Sequence, residues 1–315
     1  MLRLDLAAHC VVGILASLAM PVATAQRANS ALQYAVARSM AGRHGTAVVI
    51  DVRSVQVLAS YHLDVAARRV VHPGSSIKPF TLMALLEAGK VDANTALMCK
   101  RRLTVAGHRI DCTHPDTTQP LDPAAALAYS CNSYFTTVAQ RLTPGQLRDG
   151  LVLDGFTSLT SLAPDEAVGS VALAQTPEQL QLQAIGEWGI KVTPLELLRA
   201  YRQLALLQTE HQAKWSPLFD GLQQSVSFGM GHAAQPAAPV KVAGKTGTAP
   251  AEEGSWTHAW FAGYAPAENP EMALVVFLEK GHGGSDAASV AREIFQAFAA
   301  SRTTPVAEDV KGGRQ

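Results

Sequence analysis

The sequence is short of several things. It has four cysteines in 315 residues, too sparse for a disulfide-stapled scaffold. Aromatic residues make up only 6%, which argues against a stacking platform for sugars or bases. Neither charge is in excess: 26 Lys and Arg balance 26 Asp and Glu. A nucleic-acid binder that works by counterion release needs a basic surplus, so that class is excluded. After residue 25 no apolar run is long enough to span a bilayer. What is abundant is apolar: 48% hydrophobic residues against 17% charged, which excludes a disordered chain. At about 150 residues per domain, the length gives one large or two modest domains with ample core.

Residues 1–25 read as a targeting segment. Arg3 precedes an apolar run from Leu6 to Met20, and Ala23-Thr24-Ala25 supplies small residues for cleavage before Gln26. The expectation is a signal peptide and a protein exported to the periplasm or another extracytoplasmic space. The alternative is an uncleaved membrane anchor, the only route by which the chain would contact a membrane. The body of the protein is expected over 26–302, with a disordered tail over 303–315. Export bears on the cysteines. Cys99 and Cys112 bracket a short basic loop, where a disulfide would close a hairpin and stabilise it by roughly 2–3 kcal/mol. Free thiols are the alternative. His108 and His114 make a zinc site conceivable, but the spacing fits no familiar zinc motif. The expectation is therefore a bridge and no metal, with Cys131 left over.

Two β-branched runs, 46–52 and 55–61, read as a hairpin. A helix is expected over Ser75 to Ala88, ended by Gly89. Asp122-Pro123 forms an N-cap and N1 pair for a helix through Ala128. Further helices are expected over Ser133 to Leu142 and Pro194 to Leu207. Strand-like runs follow at 240–246, 258–264 and 272–280, then an amphipathic helix over about 286–300. This order predicts an α+β fold, a five-stranded antiparallel sheet flanked by helices, with an all-helical subdomain inserted between its first and last strands. The cleft between sheet and subdomain is the natural place for a site.

Three short patterns occur in order. Ser75-Ser76-Ile77-Lys78 is S-x-x-K, Ser130-Cys131-Asn132 is S-x-N, and Lys245-Thr246-Gly247 is K-T-G, followed by Thr248. Their order, on a helix start, an inter-helix loop and a strand, is more specific than any one match. A Ser hydroxyl is a poor nucleophile until a base takes its proton. Lys78, one turn on, reaches the Ser75 hydroxyl but acts as a base only when neutral. Activity near pH 7 asks for a depression of about three pKa units, roughly 4 kcal/mol. Burial and a second cation, Lys245, both push that way. Ser130 can relay a proton to a leaving nitrogen, and Asn132 can bond a substrate amide. The K-T-G strand offers its edge to an extended peptide, with Gly247 allowing close approach. Backbone N–H groups of Ser75 and Thr248 can form an oxyanion hole. Taken singly, these residues also have bland readings: a Ser N-cap, a solvated Lys, a Lys protecting a strand edge.

Together they resemble the transpeptidase module of penicillin-binding proteins. VHPGSSIKPF (71–80) resembles the family's nucleophile segment, and LDPAAALAYSCNSYF (121–135) its second motif. AIGEWGIKVTPLELLRAYRQLA (184–205) resembles the loop and helix between the second and third motifs, and VAGKTGTA (242–249) with HAWFAGYAP (258–266) the third motif and the strand after it. The resemblance implies the β-lactamase/transpeptidase-like fold. It assigns catalysis to Ser75, Lys78 and Ser130, and substrate binding to Asn132, Lys245, Thr246, Gly247 and Thr248. It implies peptidoglycan stem peptides and β-lactams as the molecules bound, and no cofactor. Cys99 and Cys112 resemble a cysteine pair seen in some members. Two departures stand out. The nucleophile at position 75 leaves no room for the N-terminal pedestal that cross-linking members usually carry. The family's G-Q-G loop becomes Gly186-Glu187-Trp188-Gly189, one residue longer and acidic.

The activity implied is that of an exported serine D,D-peptidase, resolved by an amine or by water. A serine β-lactamase is the first alternative. Against it, no class A acid loop (E-x-x-L-N) is recognisable, and the second motif lacks the Ser-x-Val of class D enzymes. A non-catalytic β-lactam sensor is the second alternative, although the only apolar segment available for signalling is N-terminal.

Overall fold

A computed structural model of the chain describes residues 22–303, His211 excepted, with side chains over 29–302. The expected targeting segment lies outside the described residues except for its last four positions. The expected tail lies outside them after Thr303.

The chain opens with α1 (Val22–Ser39), the hairpin strands β1 (Gly45–Asp51) and β2 (Val57–Tyr61), and α2 (Leu63–Arg68). A 3-10 turn, Gly74–Ile77, runs directly into α3 (Lys78–Glu87). The middle holds the ribbon β3 (Thr104–Val105) and β4 (His108–Arg109), then α4 (Pro123–Ala128), α5 (Asn132–Ala139) and α6 (Pro144–Leu153). It continues through β5 (Ser170–Val171), α7 (Pro177–Gln183), β6 (Ile190–Lys191), α8 (Pro194–Gln208) and α9 (Ser216–Ser227). The end returns to strands β7 (Ala243–Pro250), β8 (Thr257–Ala265) and β9 (Met272–Leu278), closed by α10 (Ala288–Thr303).

The main sheet has the order β2-β1-β9-β8-β7, every neighbour antiparallel. β9 sits at its centre and is buried at every position, as a strand covered on both faces must be. Period-two alternation sends Val48, Ile50, Val275 and Phe277 into one core with α3, α8 and the helical subdomain. It sends Ala47, Val49, Leu274 and Val276 into a second core under α10 and the N-terminal helix. The fold is the α+β arrangement read from the sequence, with the helical middle inserted between β2 and β7.

β7 is an edge strand, and its register places Lys245, Thr246 and Gly247 opposite Ala262, Phe261 and Trp260. The K-T-G motif is therefore in the middle of the strand, where the sequence pattern put it at the end of 240–246. The interruption is chemical: Gly244 and Gly247 dilute the strand signal.

Candidate active site

The site assembles where the 3-10 turn, the α4–α5 junction and β7 meet. Gly74 opens the turn with φ +52, and a Cβ there would lie 2.5 Å from the Thr248 carbonyl oxygen. A Cβ on Gly247 would lie 2.5 Å from the Pro73 carbonyl oxygen. Two glycines thus let the nucleophile segment and the third-motif strand touch backbone to backbone. Trp260 of β8 donates its Nε1–H to the His72 carbonyl at 3.1 Å, pinning the approach to the turn.

The turn separates its two serines. Ser76 is fully buried, its hydroxyl bonded to the Pro73 carbonyl at 2.7 Å, and its own carbonyl accepts from the Tyr201 hydroxyl at 2.8 Å. Ser75 is half-buried. In 3-10 geometry side chains at i and i+3 eclipse, which puts Ser75 and Lys78 on one face.

Lys78 is fully buried. Its Nζ contacts the Ser130 carbonyl at 2.7 Å, the Ser130 hydroxyl at 3.2 Å and Asn132 Oδ1 at 2.5 Å. Both oxygens of Ser130 reach one amine because Ser130 adopts φ +54, a left-handed conformation that costs a residue with a side chain about 1–3 kcal/mol. Burial pulls the Lys78 amine down to about 8, against the opposing pull of Cys131, Cys112 and Glu187. Lys245 is also fully buried, and desolvation followed by repulsion from Lys78 holds it well below its ordinary value. Its Nζ reaches the Thr246 carbonyl at 3.1 Å. Two buried amines near one another, with no carboxylate bonded to either among the described residues, make a place that favours an anion.

The remaining predicted residues fall in the same place. Thr246 is almost fully buried. The Thr248 hydroxyl accepts the Gly283 N–H at 3.0 Å. Both ends of the Asn132 amide are already engaged: Oδ1 on Lys78, and Nδ2 on the Ile110 carbonyl at 3.0 Å. Asn132 therefore first orients the amine, and bonding a substrate amide would mean exchanging the Ile110 contact.

Glu187 is the acidic residue by which the 186–189 loop departs from the family's G-Q-G. Its loop is docked on the nucleophile turn, with Gly74 N–H donating to the Gly186 carbonyl at 3.3 Å. Burial raises the Glu187 carboxyl to about 7, against the pull of Lys78. Tyr201, Trp260 and Gly283 were missed as supports, since nothing local in the sequence shows which backbone groups they meet.

The expected Cys99–Cys112 disulfide is corrected. Cys99, Cys112 and Cys131 are free thiols. The reason is convergence: the residue left over, Cys131, lies 3.8 Å from Cys112 sulfur to sulfur, while Cys99 lies 3.5 Å from His114 Nε2. These four side chains could hold a metal. The Cys112–Cys131 hydrogen bond holds Cys112 well below the usual thiol range and pushes Cys131 up.

A family model described as the penicillin binding protein transpeptidase domain matches residues 45–297. Over 375 residues the chain is 25% identical to peptidoglycan D,D-transpeptidase MrdA of Acinetobacter baumannii, covering 90% of this chain and 55% of that protein. It is 28% identical over 283 residues to the probable peptidoglycan D,D-transpeptidase PbpC of Pseudomonas aeruginosa, covering 76% of this chain and 50% of that one. The chain thus spans about half the length of the curated relatives it matches. Among solved structures, Pseudomonas aeruginosa PBP2 in complex with WCK 5153 aligns with a TM-score of 0.75 at 23% identity, over 85% of this chain and 77% of that one. The apo TP domain of Burkholderia pseudomallei penicillin-binding protein 3 aligns with a TM-score of 0.74 at 23% identity, over 90% and 96%. At these identities the likeness is one of fold.

Proposed function

Because the chain belongs to the penicillin-binding protein transpeptidase family, we propose that it is an exported serine D,D-peptidase that cleaves peptidoglycan stem peptides and binds β-lactams through Ser75. The observation that carries this is the buried Lys78 amine, held by Ser130 and Asn132, on the residue that ends the 3-10 turn three positions after Ser75.

A stem peptide lies along the edge of β7 as an added strand. Its terminal carboxylate sits with Lys245 and Thr246, and its bond energy offsets the desolvation of that lysine. Neutral Lys78 takes the Ser75 proton as Oγ attacks the penultimate D-Ala carbonyl carbon. The backbone N–H groups of Ser75 and Thr248 receive the oxyanion, each worth about 10²–10³ in rate. Ser130 passes the proton from Lys78 to the leaving nitrogen, the C–N bond breaks, and D-Ala departs. The ester on Ser75 is then attacked by an acceptor amine or by water, and the attacking group's proton returns to Lys78. A β-lactam follows the same first step, but its leaving nitrogen stays tethered.

A second reading, resolution by water, is favoured by one observation. Glu187 is a half-buried carboxylate on the loop docked against the nucleophile turn, raised into the range where a general base operates. The proposal is tested with a pentapeptide ending in D-Ala–D-Ala. Wild type should release D-Ala and Ser75→Ala should not; equal release, or none from either, contradicts it. Sustained nitrocefin hydrolysis would favour water and a β-lactamase reading, whereas one stoichiometric burst favours the peptidase.

A further inference from the structure

We propose that Arg199 and Arg202 form a binding site for a phosphate group, free or carried on a larger molecule, beside the β1–β2 turn and apart from the groove around Ser75. Both residues lie on α8, three positions apart and so on one face. Both line a cavity of about 270 Å³, which the β1–β2 turn and the segment 159–162 complete. None of the residues that hold Lys78 or Lys245 lines it.

The two guanidiniums are held in place but not neutralised. Arg199 Nη1 donates to the Leu159 carbonyl at 2.8 Å, and Arg202 Nε to the Val52 carbonyl at 2.7 Å. A guanidinium carries five N–H donors, so each keeps most of its fork for a ligand. Among the described residues neither is ion-paired with a carboxylate. Both residues are half-buried, where an unpaired charge costs more than in bulk water. Burial, then repulsion from Arg199, hold the Arg202 guanidinium below its usual value, against the pull of Asp51. The nearby acids are already engaged. Asp51 Oδ1 accepts from the N–H groups of Arg53 and Ser54 and from the Ser54 hydroxyl. Glu166 accepts the N–H groups of Thr160, Ser161, Leu162 and Ala163. Two positive charges are left to face the cavity.

Charge and shape select the ligand. A planar guanidinium fork matches a phosphate bidentately. A phosphate ester carries about −1.5 to −2 charge at pH 7, which meets two arginines where a single carboxylate would meet one. The backbone around the cavity is unusual as well. Val55 and Ser161, both on its lining, adopt φ +64 and φ +62. For a β-branched residue a left-handed φ is a genuine outlier, and such outliers gather at ligand sites. Ser161 is exposed, and its hydroxyl is a further donor at the rim.

The test is calorimetric titration of the purified full chain with inorganic phosphate. Low ionic strength and about pH 8 keep the ligand mostly dianionic, above a second pKa of about 6–7. Wild type should show one saturable site per chain. Arg199→Gln and Arg202→Gln should each weaken binding by about ten- to a hundredfold, the loss expected of a charge-assisted contact. Arg148→Gln, at an arginine already paired with Asp149, should leave binding unchanged. Val55→Glu removes neither arginine, and glutamate suits a left-handed backbone better than a β-branched residue. It sets a carboxylate on the same cavity, so it should abolish phosphate binding and raise the melting temperature in phosphate-free buffer. Glycerol 3-phosphate, titrated next, separates the sources: tighter binding than inorganic phosphate indicates a phosphate carried on a larger molecule, and equal or weaker binding the free ion. Heat that never saturates, or binding unchanged in Val55→Glu and the arginine variants, overturns the site. Val55→Glu decides the matter even if Arg202→Gln fails to fold.

Discussion

The Lys78 amine lies 2.7 Å from the Ser130 carbonyl oxygen and 3.2 Å from the Ser130 hydroxyl. One residue presents both its oxygens to one nitrogen because its backbone is left-handed. The carbonyl holds the amine and the hydroxyl offers a path for its proton. Replacing Lys78 should therefore separate chemistry from stability. Lys78→Met should slow penicillin acylation by about 10²–10⁴-fold, the range for losing a general base. Its melting temperature should hold or rise, because a buried amine without a carboxylate partner is exchanged for a side chain that needs no solvation. Stopped-flow acylation and thermal unfolding of the same preparations check both halves.

The Lys78 amine also sets a pH dependence. The active base is neutral, so acylation should climb with pH through about 8 and then level off. Folding carries the same signature. The unfolded chain holds this proton up to about 10.5 and the folded chain only to about 8. Stability from this group is thus full above 10.5 and is lost as pH falls to 8. The span is of order 3 kcal/mol. Urea unfolding from pH 7 to 11 should show a smaller rise in Lys78→Met than in wild type, with the remainder carried by Lys245, which burial also holds well below its ordinary value.

Ser130→Gly should remove the relay hydroxyl and relieve the left-handed backbone together. Stability is expected to stay level or rise by about 1 kcal/mol, within the cost of holding a residue with a side chain at positive φ. Release of the leaving amine should slow in the same protein. Denaturant midpoints and D-Ala release rates measure the two effects separately.

Gly247→Ala places a Cβ 2.5 Å from the Pro73 carbonyl. The strand and the nucleophile turn would have to part, at a cost of about 1–3 kcal/mol for overpacking. The loss of acylation should exceed the loss of stability, because the displaced backbone carries the oxyanion donors. A variant that folds and acylates normally would show the close approach to be incidental.

Glu187→Gln reports on how the ester is resolved. If water is activated there, hydrolytic turnover should fall while acylation by penicillin is nearly unchanged. Deacylation followed by mass spectrometry reads this directly.

The legible parts of the sequence were those where local chemistry and tertiary role agree. Asp122-Pro123 caps α4 as read, with the Asp122 carboxylate accepting the Ala125 N–H. The apolar run at 272–278 is a central strand. The three motifs kept their order and met. What escaped was written in contacts. α9 was not read as a helix because Gly221 and a run of polar residues blur it. Yet a Cβ on Gly221 would lie 2.9 Å from the Ala124 carbonyl oxygen and from Leu127 Cβ, so packing against α4 selects the residue that weakens the helix signal. The left-handed Ser130 has no local signature. The thiol cluster was misread because Cys131 is distant in sequence from Cys99 and Cys112, and two nearby cysteines suggest a bridge until the fold brings in a third. Residues 26–39 were absent from the helix reading because the targeting pattern ran up to their edge.

The most direct single measurement is the intact mass of wild type, Ser75→Ala and Ser76→Ala after incubation with benzylpenicillin. Wild type and Ser76→Ala should each gain one penicillin, and Ser75→Ala none. An adduct on Ser75→Ala, or none on a folded wild type, would contradict the assignment of Ser75 as the nucleophile served by Lys78.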